Sequence, residues 1–277
     1  MNLFEHAQKI FLCQNPHEKI ALTIECASLF EQDKLSWDEG SPIIDYLDPG
    51  REDKPIIVGP QDVKYYPFKK LYGKASAIHA LAHIELTAVN LAWDSVYRYR
   101  GLPNDYYRDW VQCAKEEATH FILLCESLKI LGFEYGDFKA HGELWGMART
   151  TRHNLLERMG VVHRILEARA LDAVPIVIPR FLAIGDKKMV NTLNIIANEE
   201  IGHISSSTRW FKHECDRQQI NSDQTFIQLV QRYLKNPPKG PFNREARLAS
   251  GFSEFEINEL ERMDNDFKIN KNKVKHV

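Results

Sequence analysis

The sequence E-E-x-x-H, which combines carboxylates with an imidazole, occurs twice in the chain. The second acid and the histidine are Glu117 and His120 in one copy, and Glu200 and His203 in the other. Because residues three apart in a helix lie on neighbouring turns of one face, each pair can point toward one spot. A carboxylate oxygen beside an imidazole nitrogen suits iron or manganese. A single pair of this kind arises readily by chance and is weak evidence.

A further glutamate precedes each motif at nearly the same distance. Glu85 lies 32 positions before Glu117, and Glu167 lies 33 positions before Glu200. One Glu from each of two helices, with a Glu-x-x-His from each of two others, is the ligand set of a carboxylate-bridged dimetal site. Four buried acids are very costly without a cation, and two divalent ions neutralise them. The predicted metal ligands are Glu85, Glu117, His120, Glu167, Glu200 and His203, with Glu117 and Glu200 as the expected bridges.

The expected cofactor is a pair of iron ions, with manganese or a mixed manganese–iron pair as the alternative. His163 lies four residues before Glu167, and three roles stay open for it: an additional ligand, an outer hydrogen-bond partner of a ligand, or a core histidine. A competing interpretation places the six ligand candidates on solvated helix surfaces. That interpretation predicts charged neighbours four residues away, whereas Glu85 has Leu81 and Val89 there.

Long helices must position these residues. Beyond position 70, apolar residues recur at spacings of three and four, with few Pro and Gly interruptions. The pattern and its breaks predict helices over about 72–100, 104–132, 147–173 and 185–215, the third ending before Pro175. A short loop joins the first two, and about fifteen residues join the second to the third. One long crossover between antiparallel pairs is the connectivity of ferritin-like bundles. The predicted fold class is therefore all-α, a ferritin-like four-helix bundle.

The flanking segments differ from this bundle in composition. Two short helices are predicted within 3–32, and the many Pro and Gly residues of 35–68 exclude a long helix there. The predicted organisation has three parts: N-terminal helices and a Pro-rich extended arm over 1–70, the bundle over 71–217, and a C-terminal helical extension over 218–277. Ser253 and Glu256 form a predicted capping box at the start of the last helix.

Composition narrows the functional classes. Thirty-six Lys and Arg residues against thirty-eight Asp and Glu residues give a net charge of −2, which supplies no overall field toward nucleic acid or anionic lipid. No apolar run approaches the roughly 20 residues that span a bilayer. The first residues also lack an apolar signal core. We therefore expect a cytoplasmic protein without membrane contact.

Several longer stretches of the sequence, some of which contain the ligand motifs, carry a resemblance to a known family: HIELTAVNLAWD, EEATHF, YGDFKAHGELW, VHRILEARALD, NEEIGHI and FNREARLASGF. Through them the chain resembles, over about 71–255, a bacterial ferritin-like family known as domain of unknown function 455. That family is more distantly similar to the di-iron hydroxylase that modifies prenylated adenosine in tRNA. The resemblance implies the same six ligands. Where such relatives often have a non-histidine residue, this chain has His163. The family name implies no reaction.

Three functions compete at this point. The first is an O₂-activating di-iron oxidase or monooxygenase, which uses an external electron donor and acts on an unknown small molecule or RNA. The second is a ferroxidase or another iron-handling protein. The third is a non-enzymatic scaffold stabilised by metal. The slightly acidic composition gives no support to an RNA substrate.

Overall fold

A computed structural model describes residues 2–37 and 41–274, with side chains through residue 271. The described part is predominantly helical, which confirms the all-α class. The helices before position 131 are α1 Leu3–Leu12, α2 Pro16–Glu31, α3 Leu71–Arg98 and α4 Asn104–Ile130. The later ones are α5 Glu143–Thr150, α6 Leu155–Glu157, α7 Arg169–Leu182, α8 Lys187–Arg217, α9 Ser222–Tyr233, α10 Arg244–Ala249 and α11 Glu254–Val274. A π-helical segment covers Arg158–Glu167.

The chain divides into two compact units. The first unit comprises Met1–Arg149 with Asp186–Thr192, and the second comprises Thr150–Gly185 with Leu193–Val277. The three-part organisation predicted above, with boundaries after 70 and 217, stays a prediction.

Helices α3 and α4 form an antiparallel hairpin in the first unit. The Tyr106 hydroxyl donates to the Ser95 carbonyl at 3.3 Å, and His120 lies against Glu85. Contacts thus move backward along α3 as they move forward along α4, which is the antiparallel register. Gly132 follows α4 with a φ of +80°, a left-handed conformation that glycine adopts without steric cost. The predicted limits of these two helices are confirmed within two residues.

The described residues of the Pro-rich arm, 35–37 and 41–68, contain no long helix, as predicted, but they include a short strand that was not predicted. Strand β1, Ile57–Val58, pairs in parallel with β2, Ala140–His141, in the crossover after α4. The Ala140 amide donates to the Ile56 carbonyl at 3.1 Å. Two residues per strand are too few to give a hydrophobic alternation that sequence can reveal. The pair nevertheless joins the arm to the crossover within the first unit.

The third predicted helix, 147–173, is wrong at both ends. The α-helix that contains position 147 stops at Thr150, and helical structure resumes at Leu155. It passes through the π-helical segment and ends with α7 at Leu182, so Pro175 lies inside α7. A proline lacks the amide that would bond the carbonyl four residues earlier. Here the Asn243 side chain donates to that carbonyl, at Leu171, at 3.2 Å. A long-range side chain therefore replaces part of what the proline removes.

The core of the second unit contains a fully buried arginine. The Arg164 guanidinium donates two bonds to the Glu256 carboxylate, at 2.9 and 2.8 Å, and a third to the Thr208 hydroxyl at 3.0 Å. Three phenylalanine rings surround it with centroids 4.5–4.8 Å from the guanidinium carbon: Phe211, Phe226 and Phe252. Glu256 also closes the predicted capping box, since its carboxylate accepts from the Ser253 amide at 2.9 Å. This capping box is confirmed.

Within the described residues, no helix is both long and apolar enough to span a lipid bilayer.

Candidate metal centre

Three of the six predicted ligands meet between α3 and α4. Glu85 lies near the middle of α3, and Glu117 and His120 lie one turn apart on α4. The antiparallel pairing brings these positions to the same level of the hairpin. Each of the three residues is at most 3% exposed. The interpretation of these positions as solvated surface is therefore wrong.

The three side chains contact one another directly. His120 Nδ1 lies 3.1 Å from Glu85 Oε2 and 3.4 Å from Glu117 Oε2. One donor atom from each residue lies within 4.8 Å of those from the other two. Two carboxylate oxygens and one imidazole nitrogen are thus gathered in the space that a single cation can occupy.

Burial and mutual repulsion make this cluster retain protons. Burial, reinforced by the neighbouring Glu117 carboxyl, raises the pKa of Glu85 to about 8. Burial alone would lower the pKa of His120, but its hydrogen bonds to Glu117 and Glu85 outweigh that effect and raise the pKa to about 11. At neutral pH, protons on Glu85 and His120 therefore compensate the negative charge of the cluster.

The donor set fits a divalent transition metal. Carboxylate oxygen and imidazole nitrogen are ligands that iron and manganese accept. A bound ion needs Glu85 ionised and His120 neutral, so metal binding must release the protons that these groups hold. The metal would then supply the positive charge that protons supply in the metal-free cluster.

The other predicted ligands are paired locally in the second unit. Glu200 and His203, each 6% exposed, share one face of α8, with Glu200 Oε2 at 3.8 Å from His203 Nδ1. The His163 imidazole contacts the Glu167 carboxylate through Nδ1. His163 is buried, and 14% of the Glu167 side chain is exposed. Metal coordination by these residues stays a prediction, as does the role of His163.

The π-helical segment that contains His163 and Glu167 was not predicted. The Ala168 amide donates to the His163 carbonyl, five residues back, at 3.0 Å. Shorter π-helical insertions inside α-helices are frequently found at functional sites. A sequence signal for the wider turn is lacking, because hydrophobic periodicity over ten residues distinguishes α from π geometry poorly.

Two further histidines of α3 have structural partners. His83 Nδ1 lies 2.8 Å from the Tyr135 hydroxyl, and His79 Nε2 accepts from the Gly136 amide at 2.9 Å. Both imidazoles stack on the Tyr135 ring. Burial lowers the pKa of each to about 4, so both are neutral at pH 7. Both imidazoles therefore have partners outside the cluster of Glu85, Glu117 and His120.

Comparisons with known proteins give a family match and a similar protein. A family model described as protein of unknown function (DUF455) matches residues 12–258. An uncharacterized protein of Haemophilus influenzae is 37% identical over 225 residues, which cover 78% of this chain and 77% of that protein. No solved structure matches the chain.

Proposed function

The chain belongs to the DUF455 family, and we propose that it is a dimetal carboxylate protein, an O₂-activating oxidase or monooxygenase of an organic substrate. The proposed ligands are Glu85, Glu117, His120, Glu167, Glu200 and His203, and the proposed metals are two iron ions. The proposed architecture for the four long helical segments is a ferritin-like bundle.

The observation that supports the proposal most strongly is the buried cluster of Glu85, Glu117 and His120. Two carboxyls and an imidazole, all at most 3% exposed, occupy one small region of the helix hairpin. A protein selected only for stability gains little from this arrangement, because buried ionisable groups cost free energy unless a cation compensates them. Metal binding gives such a cluster a function. The equal spacing of the second Glu and Glu-x-x-His set extends this reasoning to a second ion.

Each residue has a role that follows from its position. Glu85 and Glu117 supply negative charge from opposite sides of the hairpin, and His120 supplies a nitrogen ligand one turn from Glu117. The surrounding apolar helix faces exclude water, which strengthens electrostatic attraction to a cation. When bound, two ferrous ions supply the electrons that activate O₂ for hydroxylation or desaturation of the substrate.

The test is O₂ uptake by protein purified without oxygen and loaded with Fe(II). We expect wild-type protein to consume O₂ in proportion to bound iron, and Glu117→Ala to lose both iron and O₂ uptake. Because metal binding is coupled to folding, Glu117→Ala should also lower the melting temperature of the loaded protein. Glu116→Ala is the matched control, since Glu116 lies about 100° around α4 from Glu117. Full iron content in Glu117→Ala would refute the ligand assignment.

The same experiment separates the competing functions. Bound iron without O₂ uptake favours a metal-stabilised scaffold. O₂ uptake that oxidises added Fe(II) over many turnovers, without any organic product, favours a ferroxidase. Uptake that stops after one turnover and resumes when a reductant and an organic substrate are added favours the oxidase proposed here.

A further inference from the structure

The first compact unit contains a cavity of about 480 Å³, bounded by α3, the Pro-rich arm and the crossover after α4. Ala80, Ile84 and Thr87 line it from α3 and share one face of that helix, since their spacing is i, i+4 and i+7. Binding sites for small molecules typically measure about 300–1,000 Å³. The cavity is therefore large enough for an organic ligand.

This cavity is separate from the metal-ligand cluster of the same unit. Glu85, Glu117 and His120 are absent from its lining. Glu85 follows the cavity residue Ile84 directly and so points about 100° away around the helix, toward α4. A molecule bound in this cavity would not touch Glu85, Glu117 or His120. An inference about it goes beyond the proposed function and does not depend on it.

Positive charge predominates in the lining. Five Lys and Arg side chains line the cavity but only two carboxylates do. Asp48 accepts from the Trp145 indole at 3.1 Å and pairs with Arg149. Glu52 accepts from the Asn15 side chain at 2.8 Å. The two acids are therefore already engaged with other partners.

Three of the cations have no acidic partner within the described ranges: Arg51, Lys54 and Lys139. All three residues are exposed; Arg51 and Lys54 lie in the arm and Lys139 lies in the crossover. Cations gathered around a concave site attract anions, because low-dielectric walls focus the field. Their positions favour a ligand that carries negative charge.

Lys19 adds a fourth positive group in the cavity lining, and it is only 2% exposed. Its ammonium donates to the Gly50 carbonyl at 2.9 Å, to the Phe11 carbonyl at 3.3 Å and to Asn90 Oδ1 at 2.5 Å. All three acceptors are uncharged. Burial lowers the pKa of Lys19 to about 7. An anion in the cavity would compensate this charge, which its present partners do not neutralise.

The remaining lining is largely apolar. Ile84 is 45% exposed although it lies in the middle of α3, and Ile57, Leu144 and Trp145 contribute further apolar surface. An exposed apolar lining beside unpaired cations matches a molecule with an apolar body and an acidic group. We propose that this cavity binds an organic anion, a carboxylate or a phosphate ester with an apolar body.

The test uses 8-anilinonaphthalene-1-sulfonate, an aromatic anion that fluoresces in apolar sites, titrated into the full-length folded protein. We expect saturable binding at one site per chain, with the same affinity in metal-free and metal-loaded protein. The variant Arg51→Gln/Lys139→Gln should bind the probe about tenfold more weakly. The matched control Lys69→Gln/Lys235→Gln removes two exposed lysines outside the cavity and should bind as wild type does.

A second variant changes the apolar surface. Ile84→Glu places a negative charge inside the cavity and should weaken probe binding about tenfold or more. Ile130→Glu is its control, because Ile130 is 68% exposed at the end of α4 and lies outside the cavity. Both positions are exposed, so both variants should melt close to the wild-type temperature. Equal probe affinity in Ile84→Glu and wild type would overturn the proposal.

Competition identifies the acidic group. Displacement of the probe by decanoate assigns a carboxylate ligand, and displacement by adenosine monophosphate assigns a phosphate ester. Decan-1-ol, which has the apolar chain without the charge, should not displace the probe. The proposal fails if no saturable site exists, if neither anion displaces the probe, or if decan-1-ol displaces it as well as the anions do. Because these outcomes need no metal, they are independent of the dimetal proposal.

Discussion

Replacing Glu85 by glutamine should stabilise the metal-free protein while weakening its affinity for metal. The amide has the shape of the carboxyl it replaces, so it can still accept from His120 and can donate to Glu117. It does not titrate, and it therefore avoids the free-energy cost of keeping a buried carboxyl protonated beside Glu117 as the pH rises above 4.5. A residue kept for metal binding at a cost in stability should show these opposite effects.

The magnitude follows from the pKa of Glu85. Burial and the Glu117 carboxyl raise that pKa from 4.5 to about 8. A carboxyl with a raised folded-state pKa contributes stability that is fully present below pH 4.5 and is lost as the pH rises through 8. By pH 7 the loss reaches about 3 kcal/mol. We expect the metal-free variant to recover about 1–3 kcal/mol of it, because glutamine does not titrate.

Urea denaturation of chelator-treated protein at pH 5 and pH 7 measures the effect. The stability gained by Glu85→Gln over wild type should be larger at pH 7 than at pH 5. Metal analysis after loading should show less bound metal in the variant. Glu116→Gln, one residue from Glu117 in sequence, is the control and should change neither quantity. A Glu85→Gln protein that is less stable than wild type without metal, yet binds metal fully, would contradict this reasoning.

Three further predictions concern parts of the fold away from the metal centre. Glu256→Gln should lower the free energy of unfolding by about 3–5 kcal/mol in chemical denaturation, because it leaves the buried Arg164 guanidinium without its counter-ion. A loss below about 1 kcal/mol, as for an exposed ion pair, would contradict that account. Burial lowers the pKa of Lys19 to about 7, so the stability that its neutral form contributes is full above pH 10.5 and is lost as the pH falls through 7. The free energy of unfolding of wild type relative to Lys19→Met should therefore rise between pH 7 and pH 9, and a constant difference would refute this prediction. Gly160→Ala should lower the free energy of unfolding by about 1–3 kcal/mol, because its added Cβ would lie 2.5 Å from a Leu229 methyl group. An unchanged melting temperature would contradict this prediction and show that the packing there is loose.

Sequence patterns predicted helices well where local signals decide the structure. The apolar periodicity and Gly132 located α4, and the capping pair of Ser253 and Glu256 located the start of α11. The pattern failed at Pro175, because the Asn243 side chain that bonds the freed Leu171 carbonyl lies 72 residues away in sequence. No local window contains that partner.

The cluster of Glu85, Glu117 and His120 was predictable for a similar reason. Glu117 and His120 are linked by helical spacing, and an antiparallel hairpin with a short loop brings Glu85 to their level. The cavity that we propose to bind an organic anion was not predicted, since its lining comes from separate segments of the chain. One signal was nevertheless present: Lys19 lies on the buried stripe of α2 with Ile20, where a lysine is unusual.

The iron stoichiometry of the folded chain tests the central claim most directly. Protein purified without oxygen is titrated with Fe(II), and bound iron per chain is measured after removal of excess metal. The dimetal assignment predicts two tightly bound ions in wild type, with a loss of iron in Glu117→Ala and none in Glu116→Ala. Wild-type protein that binds no iron, or Glu117→Ala that binds as much as wild type, would contradict it.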